Sequence, residues 1–387
     1  MIEIKWAGKS LNFETAEWSG TAEQASRELA FTLPCNPYDK EFVNDALKLG
    51  DIVRMYSDKK LLFLGVITSR EKSAEVGTAS YVARDYMHYL LRSNGTYKFK
   101  NKTPEYIVTK LCKDLGIKTG SIVKTGINIP KLIFVDQSYY DMAVRAFRQA
   151  KKVTGKKYML CMEGAKVSVI QKGKDCGVVL EQGVTITGAD YSDTTDNMVN
   201  QIRIYNDKNK RLGQVSNANV AQYGTYQSTY VKETGKSAKK AAEQLFVGIT
   251  KEASVEAIGN IKCISGYGVK IRDNATGLTG TFYITSDTHT FENGVHTMSL
   301  EVSWNNTQEA GASIENGNGK KTLKNAAKCF YFDGSSAYHS SKSCSACKGH
   351  EKALKSSTVA VIKKVKLSSG KNKGKRKYKP CSKCWEV

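Results

Sequence analysis

From position 297 to 304 the chain alternates strictly. Met298, Leu300, Val302 and Trp304 are apolar, and Thr297, Ser299, Glu301 and Ser303 are polar. A period of two sends each set to its own face of an extended strand, so this stretch is a half-buried β-strand and not a helix of period 3.6. Other segments read the same way. Residues 52–56 and 61–67 flank Ser57-Asp-Lys-Lys60 as a hairpin, 199–205 and 281–285 are strands, and Asp273-Asn-Ala-Thr-Gly277 is a turn between two of them.

Three helices interrupt the strands. Thr103-Pro104-Glu105 supplies an N-cap, a proline at the first helical position and an acidic first turn; Ile107, Leu111 and Leu115 then share a face, and Gly116 can end the helix. Ser138 and Asp141 open a second, with the stripe Met142, Ala143, Ala146, Phe147 and Ala150 before Gly155. A third, alanine-rich helix is expected over 237–247. β, then helices, then β with one helix is the order of an α+β, mostly β body of two or three domains.

The 387 residues hold 59 Lys and Arg against 37 Asp and Glu, a net charge of +22. The excess is uneven. From residue 320 onward there are 18 basic residues and three acidic ones, +15 in 68 residues, which leaves +7 for the preceding 319. The cysteines divide likewise. Cys35, Cys112, Cys161, Cys176 and Cys263 share no spacing and read as reduced, buried small hydrophobes, whereas Cys329, Cys344, Cys347, Cys381 and Cys384 crowd the last sixty residues. A polar Gly/Asn-rich linker lies between. The longest purely apolar run, 61–67, is far short of the ~20 residues that span a bilayer. Residues 1–6 lack the basic start and apolar core of a secretory leader, so a soluble chain made in the cytosol is expected.

Catalytic signatures are missing from the sequence. Gly235-Lys236-Ser237 resembles the end of a phosphate loop, but Tyr230 stands where glycine is needed, so it reads as a helix start. Neither Gly-x-Ser-x-Gly nor His-Glu-x-x-His occurs. Asp190, Asp193 and Asp196, three apart, miss the alternating ligands of a calcium loop and read as a solvated turn. His289 and His296 flank the turn Phe291-Glu-Asn-Gly-Val295 and read as polar residues at strand ends.

A series of fragments in fixed order carries a resemblance: Trp18-Ser-Gly20, Gly50-Asp51, Phe63-Leu-Gly65, Asp85-Tyr-Met-His-Tyr89, Thr103-Pro-Glu105, Thr154-Gly-Lys-Lys-Tyr158, Asp196-Asn-Met-Val-Asn200, Arg203-Ile-Tyr205, Phe282-Tyr-Ile-Thr-Ser-Asp-Thr-His289 and His296-Thr-Met-Ser-Leu300. Over most of residues 1–305 the chain resembles the baseplate hub of contractile phage tails and phage-tail-like bacteriocins, in the form carried by Gram-positive prophages. The resemblance implies two tube-type, β-barrel-like domains (1–95 and 176–305) around an α/β domain with two helices (96–175). It also implies a homotrimer whose pseudo-hexameric ring adapts a six-fold tail tube to a three-fold tip. Its neighbours would be the tail tube protein and tip, spike or tape-measure proteins. Its location would be the baseplate of a virion or bacteriocin particle assembled in the bacterial cytoplasm.

The remaining residues divide into a linker, 306–325, and a basic module, 326–387. Cys344-Ser-Ala-Cys347 and Cys381-Ser-Lys-Cys384 are two knuckles of the kind that hold zinc, and His339 also frames a turn with Cys344. The pattern Tyr338-His339-x4-Cys344 with Tyr378-Lys-Pro-Cys381-x-x-Cys384-Trp385 resembles, distantly, the metal-binding N-terminal domain of DNA-alkylation repair regulators. That resemblance implies His339, Cys344, Cys381 and Cys384 as ligands, with Cys347 the alternative. Four protein ligands make a structural site, and zinc would supply folding free energy that so few apolar residues cannot. Lys371 to Lys379 is a solvated loop or a patch for a polyanion such as teichoic acid or DNA. The expected function is thus a structural, non-enzymatic tail hub. The alternatives are a hub-associated peptidoglycan hydrolase and a nucleic-acid binder acting through the basic module.

Overall fold

The computed structural model describes residues 2–306 except 23–25, 37, 40, 43–46, 72–76 and 234–236. Beyond 306 it describes only 321–322, 328–331, 337–338, 355–358, 379–380 and 385–386. The chain falls into two compact units, Met1–Ala310 and Gly311–Val387.

The first unit begins with seven strands: β1 (Ile2–Trp6), β2 (Lys9–Leu11), β3 (Thr15–Thr21), β4 (Glu28–Cys35), β5 (Ile52–Ser57), β6 (Lys60–Glu71) and β7 (Gly77–Asp85). The β5–β6 hairpin expected from the sequence is present. Its two turn residues, Asp58 and Lys59, both take positive φ (48° and 68°), the pair of left-handed residues that matches strand twist in a tight hairpin.

An α/β region follows: α1 (Met87–Arg92), β8 (Asn94–Lys102), α2 (Pro104–Asp114), β9 (Thr119–Ile122), β10 (Ile129–Ser138), α3 (Tyr139–Thr154), β11 (Tyr158–Glu163) and β12 (Lys166–Gln171). The caps read from sequence hold α2 and α3. Thr103 accepts the Tyr106 N–H at 3.2 Å, and Ser138 accepts the Asp141 N–H at 3.0 Å while donating to its carboxylate at 2.7 Å. Gly155 ends α3 at φ 70°. The buried stripes of α2 and α3 close over β8 and β10 in one apolar cluster that includes Ile107, Leu111, Phe99, Phe134 and Phe147.

The rest comprises β13 (Asp175–Glu181), β14 (Ile186–Thr194), β15 (Gln201–Tyr205), β16 (Arg211–Ser216), α4 (Val220–Tyr223), β17 (Gln227–Val231), α5 (Ala238–Glu243), β18 (Thr250–Ile258), β19 (Gly268–Asp273), β20 (Leu278–Glu292) and β21 (Val295–Ser303). One continuous sheet runs β14-β18-β21-β20-β3-β4-β7-β6-β5-β1-β2, with β19 and β13 branching from β20. β20 is the hinge of this order. Its first half pairs with β19, and residues 286–292 are held between β21 and β3. One apolar cluster lies under β1–β7 and another under β13, β14 and β18–β21, while β15–β17 form a separate three-stranded sheet with a small cluster of Ile202, Ile204 and Ala242. The fold is therefore mostly β with a helical region, the class expected from the sequence.

Three local expectations change. The third helix is six residues, not eleven, because Val247 leaves it to exchange both backbone hydrogen bonds with Val199 (2.9 and 3.0 Å). α1 and α4 were not expected; each is too short to show a periodic stripe. Asp190 and Asp193 lie on β14, a sheet edge, not in a turn.

In the second unit, Lys328–Tyr331 pairs antiparallel with Lys355–Thr358. Lys321–Thr322 runs parallel to Trp385–Glu386, and Ala337–Tyr338 runs parallel to Lys379–Pro380.

Candidate functional site

The register of the main sheet aligns residues in rows that cross five to seven strands. One row reads Gly188, Glu256, Ser299, Thr288, Ser19, Glu28, Arg84 from β14 to β7. The row on one side is Asp190, Ser254, Glu301, Ser286, Thr21. On the other side it is Ile258, Thr297, Thr290, Glu17, Ala30, Val82. None of these side chains is buried. The face is thus mainly short hydroxyl side chains and the carboxylates Glu17, Glu28, Asp190, Glu256 and Glu301, with the apolar Ile258, Ala30 and Val82 confined to the last row. Its one cation in these rows, Arg84, is paired with Glu28 at 2.5 Å. On a chain with a net charge of +22 this is a net-negative, hydroxyl-rich surface of small side chains, unbroken across the β3–β20 junction.

Beneath the junction the opposite face carries buried charge. Arg27, just before β4, donates from Nη1 to Asp287 Oδ1 at 2.9 Å and from Nη2 to Oδ2. The Ser265 N–H adds a third donor at 2.6 Å. Burial alone would push the Asp287 carboxyl up. The charge and hydrogen bonds of Arg27, with help from His289, outweigh it and hold the group below the usual carboxylate range. The guanidinium also lies 4.1 Å over the Trp18 ring. Asp85, at the end of β7, accepts the backbone N–H of Arg27 (2.9 Å) and of Met87 (3.0 Å), while burial raises its pKa to about 6.

His289 is wholly buried. Its Nε2 meets the Cys263 carbonyl at 3.1 Å and Asp287 at 3.4 Å, and its Nδ1 lies 3.1 Å from Nε2 of His296. A carbonyl only accepts, so His289 Nε2 carries the proton and donates. Which ring donates across the Nδ1–Nε2 contact is set by the tautomers of the two rings. Burial, then the neighbouring His289, lowers the His296 pKa to about 4. The two histidines do sit at strand ends around a turn, but His289 is a core polar residue with a complete set of partners. The sequence signal was present in Ser286-Asp-Thr-His289. What it lacked was the pairing of β20 with β3, which brings Arg27 to Asp287 across 260 positions.

The expected zinc ligands His339, Cys344, Cys381 and Cys384, and the alternative Cys347, lie outside the described residues. So do 234–236 of the phosphate-loop look-alike, but Ser237 is the extended residue that precedes α5, as a helix start requires. Of the body cysteines, Cys112 and Cys263 are buried and Cys35, Cys161 and Cys176 half-buried; all five are free thiols. Among the described residues no three His, Cys, Asp or Glu side chains are placed to hold a metal ion, and no helix is long and apolar enough to cross a membrane.

A long mixed sheet order, a helical region inserted between its halves and a polar outer face together define a fold found in phage tail proteins. The chain is similar to the 43 kDa tail protein of prophage MuSo2 from Shewanella oneidensis, with a TM-score of 0.59 over 78% of this chain and 98% of that one at 15% identity. It is likewise similar to the tail protein of Neisseria meningitidis MC58, with a TM-score of 0.56 over 78% and 95% at 14% identity. At such identities the likeness is one of fold. In sequence the chain is 30% identical over 279 residues to YqbQ of Bacillus subtilis (strain 168), covering 68% of this chain and 84% of that protein. It is 27% identical over 312 residues to protein XkdQ of the phage-like element PBSX from the same strain, covering 78% and 95%. Residues 16–303 match the YQBQ-like family, and the chain belongs to it. The resemblance carried by the ordered fragments is borne out.

Proposed function

We propose that the chain is a structural, non-enzymatic hub subunit of a phage-type tail baseplate, and that copies of it close into a trimeric ring around a lumen. The observation that carries this reading is the hydroxyl and carboxylate face that continues from β14 to β7. A ring that passes a tail's contents needs a wall with little apolar or cationic grip, and this face, spanning both halves of the sheet, has that chemistry apart from the row of Ile258, Ala30 and Val82. Two tube-like portions per subunit, 1–95 and 176–305, would give three copies six-fold character. The sheet also leaves β14 as a nine-residue edge whose one partner among the described strands is β18, and such an edge is suited to pairing with a neighbouring copy. The names of relatives and fold neighbours, a phage-like element protein and two tail proteins, support the setting in a tail particle. The partners would then be the tail tube protein above and tip, spike or tape-measure proteins below.

The C-terminal module, 326–387, would be held by a structural zinc ion bound through His339, Cys344, Cys381 and Cys384, with Cys347 the alternative. The pairing Tyr338↔Pro380 supports this, since it sets the residues immediately before His339 and Cys381 opposite each other. The lysines of 371–379 would give the module an affinity for polyanions such as teichoic acid or DNA.

Light scattering and electron microscopy of the purified chain test the ring. The expected result is a mass of three subunits and three-fold annular particles. A strict monomer at high concentration, with no ring on addition of tail tube protein, would overturn it.

A further inference from the structure

The α/β region carries a second charged surface, independent of the ring. β8 and β10 form a two-stranded ribbon whose inner face is anchored by Phe99, Leu132 and Phe134 in the cluster under α2 and α3. The outer face is different. Thr96, Lys98, Lys100 and Lys102 alternate along β8, and Lys131, Ile133 and Val135 along β10, all exposed. The register places Lys100 directly opposite Lys131, and Lys98 directly opposite Ile133. Like charges directly across a ladder destabilise it. None of these four lysines has an ion-pair partner among the described residues; Lys102 lies 4.4 Å over the ring of half-exposed Tyr106.

Lysines are common on sheet edges, where they deter unwanted pairing. Both strands of this ribbon are edges, so that role is open to its lysines, but it gives no reason for Lys100 to stand directly opposite Lys131 at the cost of repulsion. Nor does it account for Ile133 and Val135, which stand 48% and 68% exposed on the same face and would invite the contacts that guard lysines prevent. Cations interleaved with β-branched apolar side chains on a rigid ribbon match a surface that is acidic and apolar at once. We propose that this ribbon face docks an acidic protein segment, extended, with carboxylates opposite Lys98, Lys100 and Lys131 and apolar side chains against Ile133, Val135 and Tyr106. The exposed apolar pair favours a protein partner over a nucleic acid or a teichoic acid, which would need the charges alone.

The test uses the full chain and a fluorescein-labelled ten-residue peptide, Glu-Thr-Val-Thr-Glu-Thr-Val-Thr-Glu-Thr, whose Glu and Val side chains share one face when extended, followed by anisotropy at low and at physiological salt. Wild type is expected to bind it, more weakly as salt rises. Lys98→Glu/Lys100→Glu should lose tenfold or more in affinity, and Ile133→Ser/Val135→Ser about fivefold. The melting temperature of the first variant should not fall, because the charge conflict at Lys100 is relieved. A twelve-base-pair duplex and a polyphosphate serve as comparison ligands. The proposal fails if the peptide does not bind or if either variant binds it as wild type does. It also fails if the comparison ligands bind more tightly than the peptide and lose affinity only with the lysines, which would mark a general polyanion patch.

Discussion

Arg27 clasps Asp287 with both prongs of its guanidinium, and the side chain of Asp287 is fully buried while that of Arg27 is 12% exposed. The pair joins the segment entering β4 to the middle of β20, which among the described strands is where the two halves of the sheet share a ladder. Buried pairs add little over a well-packed apolar substitute, but losing one partner strands the other charge.

Arg27→Ala and Asp287→Ala should therefore each lower stability by about 3–5 kcal/mol. Arg27→Met with Asp287→Asn should recover a large share, since Asn can still accept the Ser265 N–H and no charge is left alone. Denaturant midpoints for wild type, the two single variants and the double variant measure this. Single substitutions costing under about 1 kcal/mol would show that the junction is held by apolar contacts instead.

The histidine pair makes stability depend on pH in a definite direction. Unfolded, His296 takes a proton near 6.5; folded, burial and His289 hold it off until about 4. The unfolded chain thus binds more protons between those values, and this contribution is lost as pH falls from 6.5 towards 4. Asp85 runs the other way. Its folded pKa of about 6 lies above the ordinary aspartate value of 3.8, so its contribution declines as pH rises through that interval. The two partly cancel in the wild type. His296→Gln keeps a side chain that can donate to or accept from His289 Nδ1 and removes one of the two opposed contributions. Discounted for partial exposure, the variant should gain about 1 kcal/mol on wild type at pH 5 relative to pH 7. Thermal melts at the two values decide it, and an unchanged difference would mean that His296 titrates normally in the fold.

What the sequence could reveal follows from how local each cause is. The caps of α2 and α3 and the β5–β6 turn act within a few residues, and Thr103, Ser138, Gly155 and Asp58 do what their types imply. Ser138→Ala should accordingly cost about 1 kcal/mol, read as a drop in melting temperature, with Ser138→Asp close to neutral. The β3–β20 ladder is different. No local pattern specifies which of many alternating strands pair, so the polar rows and the buried Arg27–Asp287 pair emerge only with the register. The shortened α5 has the same origin, since Val199, far upstream, claims Val247 for a bridge.

The metal proposal rests on the second unit alone and can be tested there. The parallel pairing Tyr338↔Pro380 sets the chain just before His339 opposite the chain just before Cys381, and a separate one, Lys321↔Trp385, ties the residue after Cys384 to the start of the unit. Such short ladders cannot hold a lysine-rich module by themselves, whereas a structural zinc site supplies roughly 10 kcal/mol or more. Purified protein should carry about one zinc per chain, expected from a single four-ligand site. His339→Ala and Cys381→Ala should lose most of it, and Cys347→Ala should retain it. Retention in His339→Ala with loss in Cys347→Ala would assign the four-cysteine set. A chelator should expose residues 311–387 to protease while the first unit's melting temperature stays unchanged. Metal-free protein whose second unit is equally resistant would remove zinc from the account altogether.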